Sequence, residues 1–311
     1  MSIDAVLAPN ERGAVEVSGA DRGSFLNAVV SQEIEVLAPG HVAGALFLDP
    51  HGAPLALFDV AVLDGRFVLL TPTKELADEL ARTLGNRTFL ADARCTLLDV
   101  EGRSLRGERG REIAAAAGLD VSPCRVAEIG RALVLGHDDG VDLAGSPEVV
   151  ESLAVRLLEA GAEAGAPETL ESWRVAHGVP GWAREVRAPH LPEEMGLLPT
   201  HVHLQKGCYP GQEAVARMWM LGRPRRRLAQ VVLGGAAAAG WSTGTGKRGV
   251  EVTSATTYGG ERIGLAYVPA DARAGDRYAD EDGAVFVRNF VGEGLAVPGH
   301  DSSVVRRRDR R

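Results

Sequence analysis

The segment Lys206-Gly207-Cys208-Tyr209-Pro210-Gly211-Gln212-Glu213 combines a thiol, a basic group and residues that restrict the backbone. Two glycines and a proline within 206–211 exclude a helix or a regular strand, so the sequence predicts a tight loop there. A cation beside a thiol favours the thiolate, which is the nucleophilic form of cysteine. Cys208 is therefore a candidate reactive thiol, and the alternative from the residues alone is a small buried apolar side chain.

The remaining cysteines and the paired histidines point to no metal site. Cys95 lies in a strand-like run and Cys124 follows a proline, so both are predicted to be buried packing residues. Three widely spaced cysteines form neither a disulfide framework nor a ligand pattern, which favours a reducing, cytoplasmic setting. His201 and His203 alternate in sequence, but no third ligand follows at metal-site spacing, so we predict no metal.

Charge and hydropathy limit the classes of partner. The 311 residues contain 34 basic and 42 acidic side chains, a net charge of −8, which disfavours a direct nucleic-acid binder. The arginine-rich segment 301–311 has no apolar residue after Val305 and is predicted to be a disordered tail. No apolar run has the length of a membrane span or of a secretion signal, so we expect neither membrane insertion nor secretion.

The pattern of elements around the loop predicts an α+β protein. Short alternating or apolar runs separated by Gly, Pro and Asp read as antiparallel strands, and Asp64-Gly65 marks a two-residue hairpin. Helical spacing appears at 22–30, 73–84, 147–160 and 168–178. We predict two intertwined α+β units of the ferredoxin-like kind within 1–226, approximately 1–90 and 91–226. A flexible linker is expected at 161–167, and a small β-barrel at 227–300.

The loop sequence and the following Ala214-Val215-Ala216-Arg217 resemble the signature of the YgfZ family of folate-binding proteins, relatives of the aminomethyltransferase GcvT. The resemblance extends over nearly the whole chain, through SGADRGSFLNAVVSQEIEVLAPG, FLDPHGAP, LESWRVAHGVP, LPEEMGLLP and GVEVTSA. It implies a GcvT-like ring of three domains around a central hole that holds tetrahydrofolate, with the signature cysteine near the rim.

The resemblance also assigns roles to individual residues. The positions on the family pattern are Lys206, Gly207, Cys208, Tyr209, Gly211, Gln212, Glu213 and Arg217, with Glu194 at the family's acidic position. A carboxylate such as Glu194 can accept two adjacent N–H groups of a pterin. Lys206 or Arg217 would pair with the glutamate tail of the folate, or instead brace the loop.

Aromatic contacts to the folate are assigned in the same way. Trp173 lies at a position resembling the family's folate-contacting tryptophan, where an indole face can stack on the ligand, and its alternative role is core packing. Trp182 is a weaker candidate. Arg12 stands where some family members have a second aromatic residue, so the resemblance gives no stacking from that side.

The function implied is that of a folate-binding accessory protein for the assembly or repair of iron–sulfur enzymes, including enzymes that modify tRNA. Its partners would be folate and iron–sulfur clients or assembly factors, its working thiol would be Cys208, and no classical turnover is expected. A second possibility is a tetrahydrofolate-dependent aminomethyltransferase. The acid needed for that chemistry would fall at Ala56 or Leu57, which cannot orient a nitrogen, although Asp59 has the strand parity of Leu57. A third possibility is an interaction protein that has kept only the fold.

Overall fold

The computed structural model describes residues 4–221 and 224–300. These residues form three sheets with helices on two of them, which confirms the predicted α+β class with a C-terminal barrel-like sheet. The segment 301–311, predicted to be a disordered tail, lies outside the described residues.

The elements in the described residues follow one another in this order. The strands are β1 (Val6–Asn10), β2 (Gly13–Ser18), β3 (Val42–Leu48), β4 (Pro54–Leu63), β5 (Arg66–Thr71), β6 (Arg94–Leu98), β7 (Glu101–Arg106), β8 (Val126–Ile129), β9 (Ala132–His137), β10 (Gly140–Gly145), β11 (Glu163–Ala164), β12 (Arg226–Gly235), β13 (Ser242–Thr243), β14 (Val250–Tyr258), β15 (Glu261–Pro269), β16 (Arg277–Ala279) and β17 (Gly283–Phe290). The helices are α1 (Arg22–Val29), α2 (Lys74–Gly85), α3 (Gly110–Ala116), α4 (Pro147–Glu159), α5 (Pro167–Ala176), α6 (Leu198–His201) and α7 (Gln212–Leu221), with a 3₁₀ turn at Gly246–Arg248.

The first sheet has the strand order β3-β4-β5-β2-β6 and is antiparallel. Leu63 pairs with Arg66 across a two-residue turn in which Gly65 has φ +74°, so the predicted hairpin is confirmed. Helix α2 begins after Thr73, whose side chain accepts a hydrogen bond from the Leu76 N–H. One face of this sheet packs against α1 and α2 through a core that includes Phe47, Phe58, Leu69 and Leu80.

The second sheet, β11-β1-β7-β10-β9-β8, exchanges strands with the first. Strand β1 precedes the first sheet in the chain but pairs with β7, whereas β6 follows residue 90 and pairs with β2. A boundary near residue 90 therefore stays a proposal. The predicted linker 161–167 contains β11, which pairs in parallel with β1, so the interpretation of this segment as a free linker was wrong.

The two sheets pack against each other through side chains on their inner faces. Helices α3 and α4 cover the outer face of the second sheet. Between the sheets lies an apolar core made of Ala14, Ala61, Leu63, Val68, Leu70, Val100, Val126, Leu133, Leu135 and Ala144. Because successive residues of a strand face opposite sides, every second residue of β4 faces this inter-sheet space.

The third sheet, β13-β14-β15-β12-β17-β16, is antiparallel and nearly closes into a barrel. Its interior includes Val231, Val252 and Val285. A separate apolar cluster joins the barrel to β3, α5 and α7, and the Tyr267 hydroxyl donates to the Glu185 backbone carbonyl at 2.7 Å. The barrel is thus fixed to the region that carries the predicted loop.

Candidate functional site

The predicted loop is held in place by Lys206, whose side chain is turned inward. Its ammonium group donates to the backbone carbonyls of Asn27, of Val30 at 2.6 Å and of Gln32 at 3.0 Å. These carbonyls lie at the C-terminal end of α1, where helix carbonyls have no partner within the helix. Burial lowers the pKa of Lys206 to about 8. Lys206 was predicted either to pair with the glutamate tail of the folate or to brace the loop. Its contacts in the structure are those that brace the loop.

The far end of the loop is fixed as well. The Tyr209 ring is buried 5.1 Å from the Lys206 ammonium, and burial raises its pKa to about 12. Gly211 has φ +80°, and a Cβ there would lie 2.5 Å from the backbone carbonyl oxygen of Asp49. The loop therefore packs directly on the turn after β3, which Asp49 stabilises by accepting the N–H groups of His51 and Ala53.

Between these anchors, Cys208 is exposed. A Cβ added at Gly207 would have no atom within 4 Å, so the chain next to the thiol is open to solvent. Gln212 and Glu213, expected in the loop, are instead the first two residues of α7. Arg217 is exposed on the same helix and pairs with Glu213 at i,i+4. The structure thus presents the sulfur on an anchored backbone.

The other two cysteines differ from each other. Cys95 is half-buried against the first core, and burial raises its pKa to about 11. Cys124 is exposed on the turn before β8. The prediction that both are buried was wrong for Cys124, because its turn runs along the surface, where its carbonyl accepts the N–H of Val42 and extends the edge of β3.

Glu194 is buried at 6% exposure, and both of its oxygens have protein partners. One accepts the backbone N–H of Arg225 at 2.9 Å, and the other accepts that of Leu191 at 3.2 Å and lies 3.7 Å from the imidazole of His190. Burial alone would raise the pKa of Glu194, but the nearby His190 imidazole and the hydrogen bonds from the Leu191 and Arg225 backbone groups lower it overall. The carboxylate joins the segment before α6 to the start of β12.

Trp173 lies on α5, away from these loop contacts. The Arg106 guanidinium lies 5.1 Å from the centre of its ring, and His177 stacks on the indole at 4.4 Å. Its Nε1 is buried and has no hydrogen-bond acceptor among the described residues. Trp182, the weaker candidate, packs between two apolar clusters.

A set of ionisable side chains fills one part of the inter-sheet space, and we call it the inter-sheet cluster: Arg12, Asp59, Arg106, His137 and Asp142. Asp142 is fully buried, pairs with Arg12, and accepts from Arg106 at 2.7 Å and from His137 at 3.1 Å. Burial opposes ionisation of Asp142, but the two guanidinium groups hold its pKa well below the usual range. Arg12 also donates to Asp59 at 3.1 Å.

The structure therefore divides the predicted residues into three places. Lys206, Cys208 and Tyr209 are together in the loop, Glu194 is in a separate backbone clamp, and Trp173 faces the inter-sheet cluster through Arg106. Sequence reasoning missed this cluster as a unit. Its one local signal is an acid inside an apolar strand, as in PLALFDVAVL of β4 and GVDLAG of β10.

Two further features belong to the surroundings of the site. A cavity of about 380 Å³ lies beside α7 and the start of β12, with walls that include Trp219, Arg227, Glu293 and Leu295. Within residues 4–221 and 224–300, no group of three or more His, Cys, Asp or Glu could hold a metal ion. No helix in the described part of the chain is long and apolar enough to cross a membrane.

Comparison with known proteins gives relatives at low identity. No family model matches the chain. A chloroplastic Arabidopsis thaliana protein provisionally named a transferase is 25% identical over 283 residues, 84% of this chain and 64% of that protein. A mitochondrial Mycosarcoma maydis protein named as a homolog of the iron–sulfur cluster assembly factor IBA57 is 28% identical over 238 residues, 70% of this chain and 54% of that protein. The chain thus spans between about half and two thirds of the length of these relatives.

Among solved structures, the glycine cleavage system aminomethyltransferase T from Bartonella henselae superposes with a TM-score of 0.81. The match covers 95% of this chain and 88% of that one, at 18% sequence identity. At that identity the likeness concerns the fold. The chain therefore has the GcvT-like fold and is related in sequence to a protein named for iron–sulfur cluster assembly.

Proposed function

We propose that this chain binds a reduced folate between its three units and supports the assembly or repair of iron–sulfur enzymes through the thiol of Cys208. The observation that carries the proposal is the loop itself: Cys208 is exposed while Lys206 and Tyr209 on either side are buried. A free cysteine is more often an inert core residue. The name of the Mycosarcoma maydis relative supports the choice of client class.

The chemistry of the residues around the inter-sheet cluster supports a pterin site there. Such a ring needs an aromatic face and acceptors for adjacent N–H groups. Trp173 offers an indole whose buried Nε1 lacks an acceptor in the described chain, and Asp59 offers a partly exposed carboxylate. A bound reduced folate would supply one-carbon or redox chemistry, and these side chains would bind and orient it.

The other assigned side chains have a supporting role in this proposal. Lys206 and Glu194 already have protein partners at their charged groups, so they would hold the loop and the start of β12 in position. Arg217 pairs with Glu213 on the surface and would be available to the folate tail or to a client. Trp173 would be the aromatic contact.

A finer assignment is also proposed. The octet around Cys208 resembles the YgfZ signature. This resemblance supports assigning the chain to the YgfZ-like branch, whose clients would include radical enzymes that modify tRNA. Cys95, Cys124 and Cys208 are all free thiols, which fits a reducing compartment such as the cytoplasm. The two curated relatives are named as chloroplastic and mitochondrial, so the compartment stays a proposal.

The thiol is tested with two matched variants, Cys208→Ser and Cys124→Ser. Both remove an exposed sulfur, but only Cys208 lies in the anchored loop. Activity of iron–sulfur enzymes under oxidative stress is expected to fall with Cys208→Ser and to stay at the wild-type level with Cys124→Ser, while folate affinity is unchanged in both. Equal activity of the two variants would exclude the proposed role of Cys208.

An aminomethyltransferase is the second candidate, favoured by the fold and by the name of the Arabidopsis thaliana relative. Ala56 is buried in the first core and Leu57 packs in a second apolar cluster, so neither supplies an acid. Asp59 is the acid on the face of Leu57, and its charge is paired with Arg12. Conversion of an aminomethylated lipoyl carrier protein and tetrahydrofolate to methylenetetrahydrofolate, ammonia and the reduced carrier would favour this candidate. No such turnover by a chain that binds folate would favour the accessory role.

An interaction protein without a ligand is the remaining alternative. Calorimetric titration with tetrahydrofolate separates it from the other two. If the chain shows no heat of binding and no thermal stabilisation at ligand excess, only this alternative remains.

A further inference from the structure

Successive side chains of β4 point to opposite faces of the sheet, and this alternation determines which of them can contact a ligand between the sheets. Ala56, Phe58 and Val60 are buried under α1 and α2. Leu57 and Asp59 therefore face the opposite side, toward the inter-sheet space. Asp59 keeps 31% of its side chain exposed, although it lies in a ten-residue strand that is otherwise apolar.

On one side, Asp59 is held by a cation that is itself fixed. The Arg12 guanidinium donates to Asp59 Oδ2 at 3.1 Å and pairs through its other nitrogen with the fully buried Asp142. Asp142 is held in turn by Arg106 and His137. Arg12 is thus positioned before any ligand arrives.

On the other side, Asp59 has a neutral neighbour. Gly44 is the cross-strand partner of Asp59, and a Cβ there would lie 2.7 Å from Nε2 of His201. The absence of a side chain at Gly44 lets the imidazole lie against the strand, with its Nδ1 2.7 Å from the Thr200 hydroxyl. Burial lowers the pKa of His201 to about 4, so His201 adds no second positive charge at neutral pH.

The result is a carboxylate with one free oxygen. Asp59 Oδ1 accepts no hydrogen bond from the described residues, whereas the two oxygens of Glu194 accept three backbone N–H groups from Leu191, Arg225 and Arg226. A ligand at Glu194 would have to reach a carboxylate that is 6% exposed and already shared by these donors. Using Asp59 requires only the displacement of solvent.

We propose that Asp59, fixed by Arg12, is the carboxylate that receives the adjacent N–H donors of the pterin ring. The inference rests on the proposed function and assigns to Asp59 the role that sequence resemblance gave to Glu194. The ligand class is any ring with an amide-like edge of neighbouring N–H groups, because such an edge matches a carboxylate in two places. Trp173, across the cluster from Asp59, would contact the remainder of the ligand.

The test compares Asp59→Asn with Asp139→Asn, both checked by thermal melting. Asp139 lies in the turn between β9 and β10, 3.9 Å from Arg106, so it is an acid of the same region to which no contact with the pterin is assigned. Calorimetry would use three probes: tetrahydrofolate, a tetrahydropterin without the tail, and p-aminobenzoylglutamate. Asp59→Asn is expected to weaken the first two at least tenfold and to leave the third unchanged, and Asp139→Asn is expected to bind like the wild type.

The other outcomes separate this inference from the proposed function. If Asp59→Asn binds both pterin probes as the wild type does, Asp59 is not the recognising group and folate binding stands. A loss confined to p-aminobenzoylglutamate would also overturn the assignment. If the wild type binds none of the probes, the proposed function fails and the inference with it. Should Asp59→Asn fail to fold, the wild type is titrated with a tetrahydrofolate whose 2-amino group is replaced by methyl. Tenfold weaker binding of this analogue supports the inference, and equal binding overturns it.

Discussion

The octet loop and the inter-sheet cluster use charge in opposite ways. In the loop, the Lys206 ammonium donates hydrogen bonds to three backbone carbonyls, and the nearby Cys208 thiol is exposed. In the cluster, Asp142 and Arg12 hold each other, and the carboxylate beyond them keeps a free oxygen. In both regions a buried charge fixes the backbone or side chain next to it, and the group left accessible is the one available for chemistry.

The largest effect is expected from the buried centre of the cluster. Asp142→Ala leaves Arg106 and Arg12 without their main partner in a buried site, which costs about 3–5 kcal/mol in the free energy of unfolding. Urea denaturation measures it. Asp139→Asn is the matched control, and we expect it to cost less than about 1 kcal/mol because its nearest cation lies 3.9 Å away. Equal losses would mean that Asp142 is not the centre of the cluster.

Removing the buried charge of the loop, at Lys206, should lower the free energy of unfolding somewhat less than removing Asp142. Lys206→Met leaves the carbonyls of Asn27, Val30 and Gln32 without their donor, and we expect a loss of about 2–3 kcal/mol in the free energy of unfolding. Arg217→Met removes a cation from an exposed i,i+4 pair and should change it by less than about 0.5 kcal/mol. If Lys206→Met lowers the free energy of unfolding by less than about 1 kcal/mol, the loop is held by other contacts.

The neutral histidine beside Asp59 predicts a pH dependence. The pKa of His201 is about 4 in the folded chain and near its ordinary value of 6.5 when unfolded. Between these values the unfolded chain binds more protons, so stability falls as the pH is lowered from 6.5 to 4, by about 2.5 kcal/mol. Denaturation at several pH values should show a flatter profile for His201→Gln than for the wild type. Parallel profiles would contradict the burial of this imidazole.

The smallest structural effect concerns the thiols. Alkylation followed by mass spectrometry should modify Cys208 and Cys124 at similar rates and Cys95 at least tenfold more slowly, since burial raises the pKa of Cys95 to about 11. Cys208→Ser should leave the free energy of unfolding within about 0.5 kcal/mol of the wild type. Slow modification of Cys208 in the folded chain would remove the basis of the loop's proposed role.

The sequence predicts local features better than features assembled across the chain. The hairpin at Asp64-Gly65 and the strand Val42–Leu48 follow from turn chemistry and alternation within a few residues. The exchange of β1 and β6 between the sheets depends on long-range pairing, which leaves no local pattern. The direction of the Lys206 side chain likewise depends on α1, far away in the sequence.

The same distinction applies to the site. Cys208 was identifiable because glycine and proline restrict the backbone around it. The inter-sheet cluster joins Arg12, Asp59 and Asp142 from three separate segments, so their proximity could be seen only in the fold. Glu194 looked like a ligand group in the sequence, but in the fold its oxygens are occupied by backbone donors.

The most direct test of the account measures whether a bound folate reaches the neighbourhood of the loop thiol. Alkylation rates of Cys208 and Cys124 are compared in one sample, with and without saturating tetrahydrofolate, so that Cys124 serves as the internal reference. Bound tetrahydrofolate is expected to slow modification of Cys208 at least fivefold and to leave the rate at Cys124 unchanged. Saturation shown by calorimetry with no change at Cys208 would contradict a folate site next to the loop thiol.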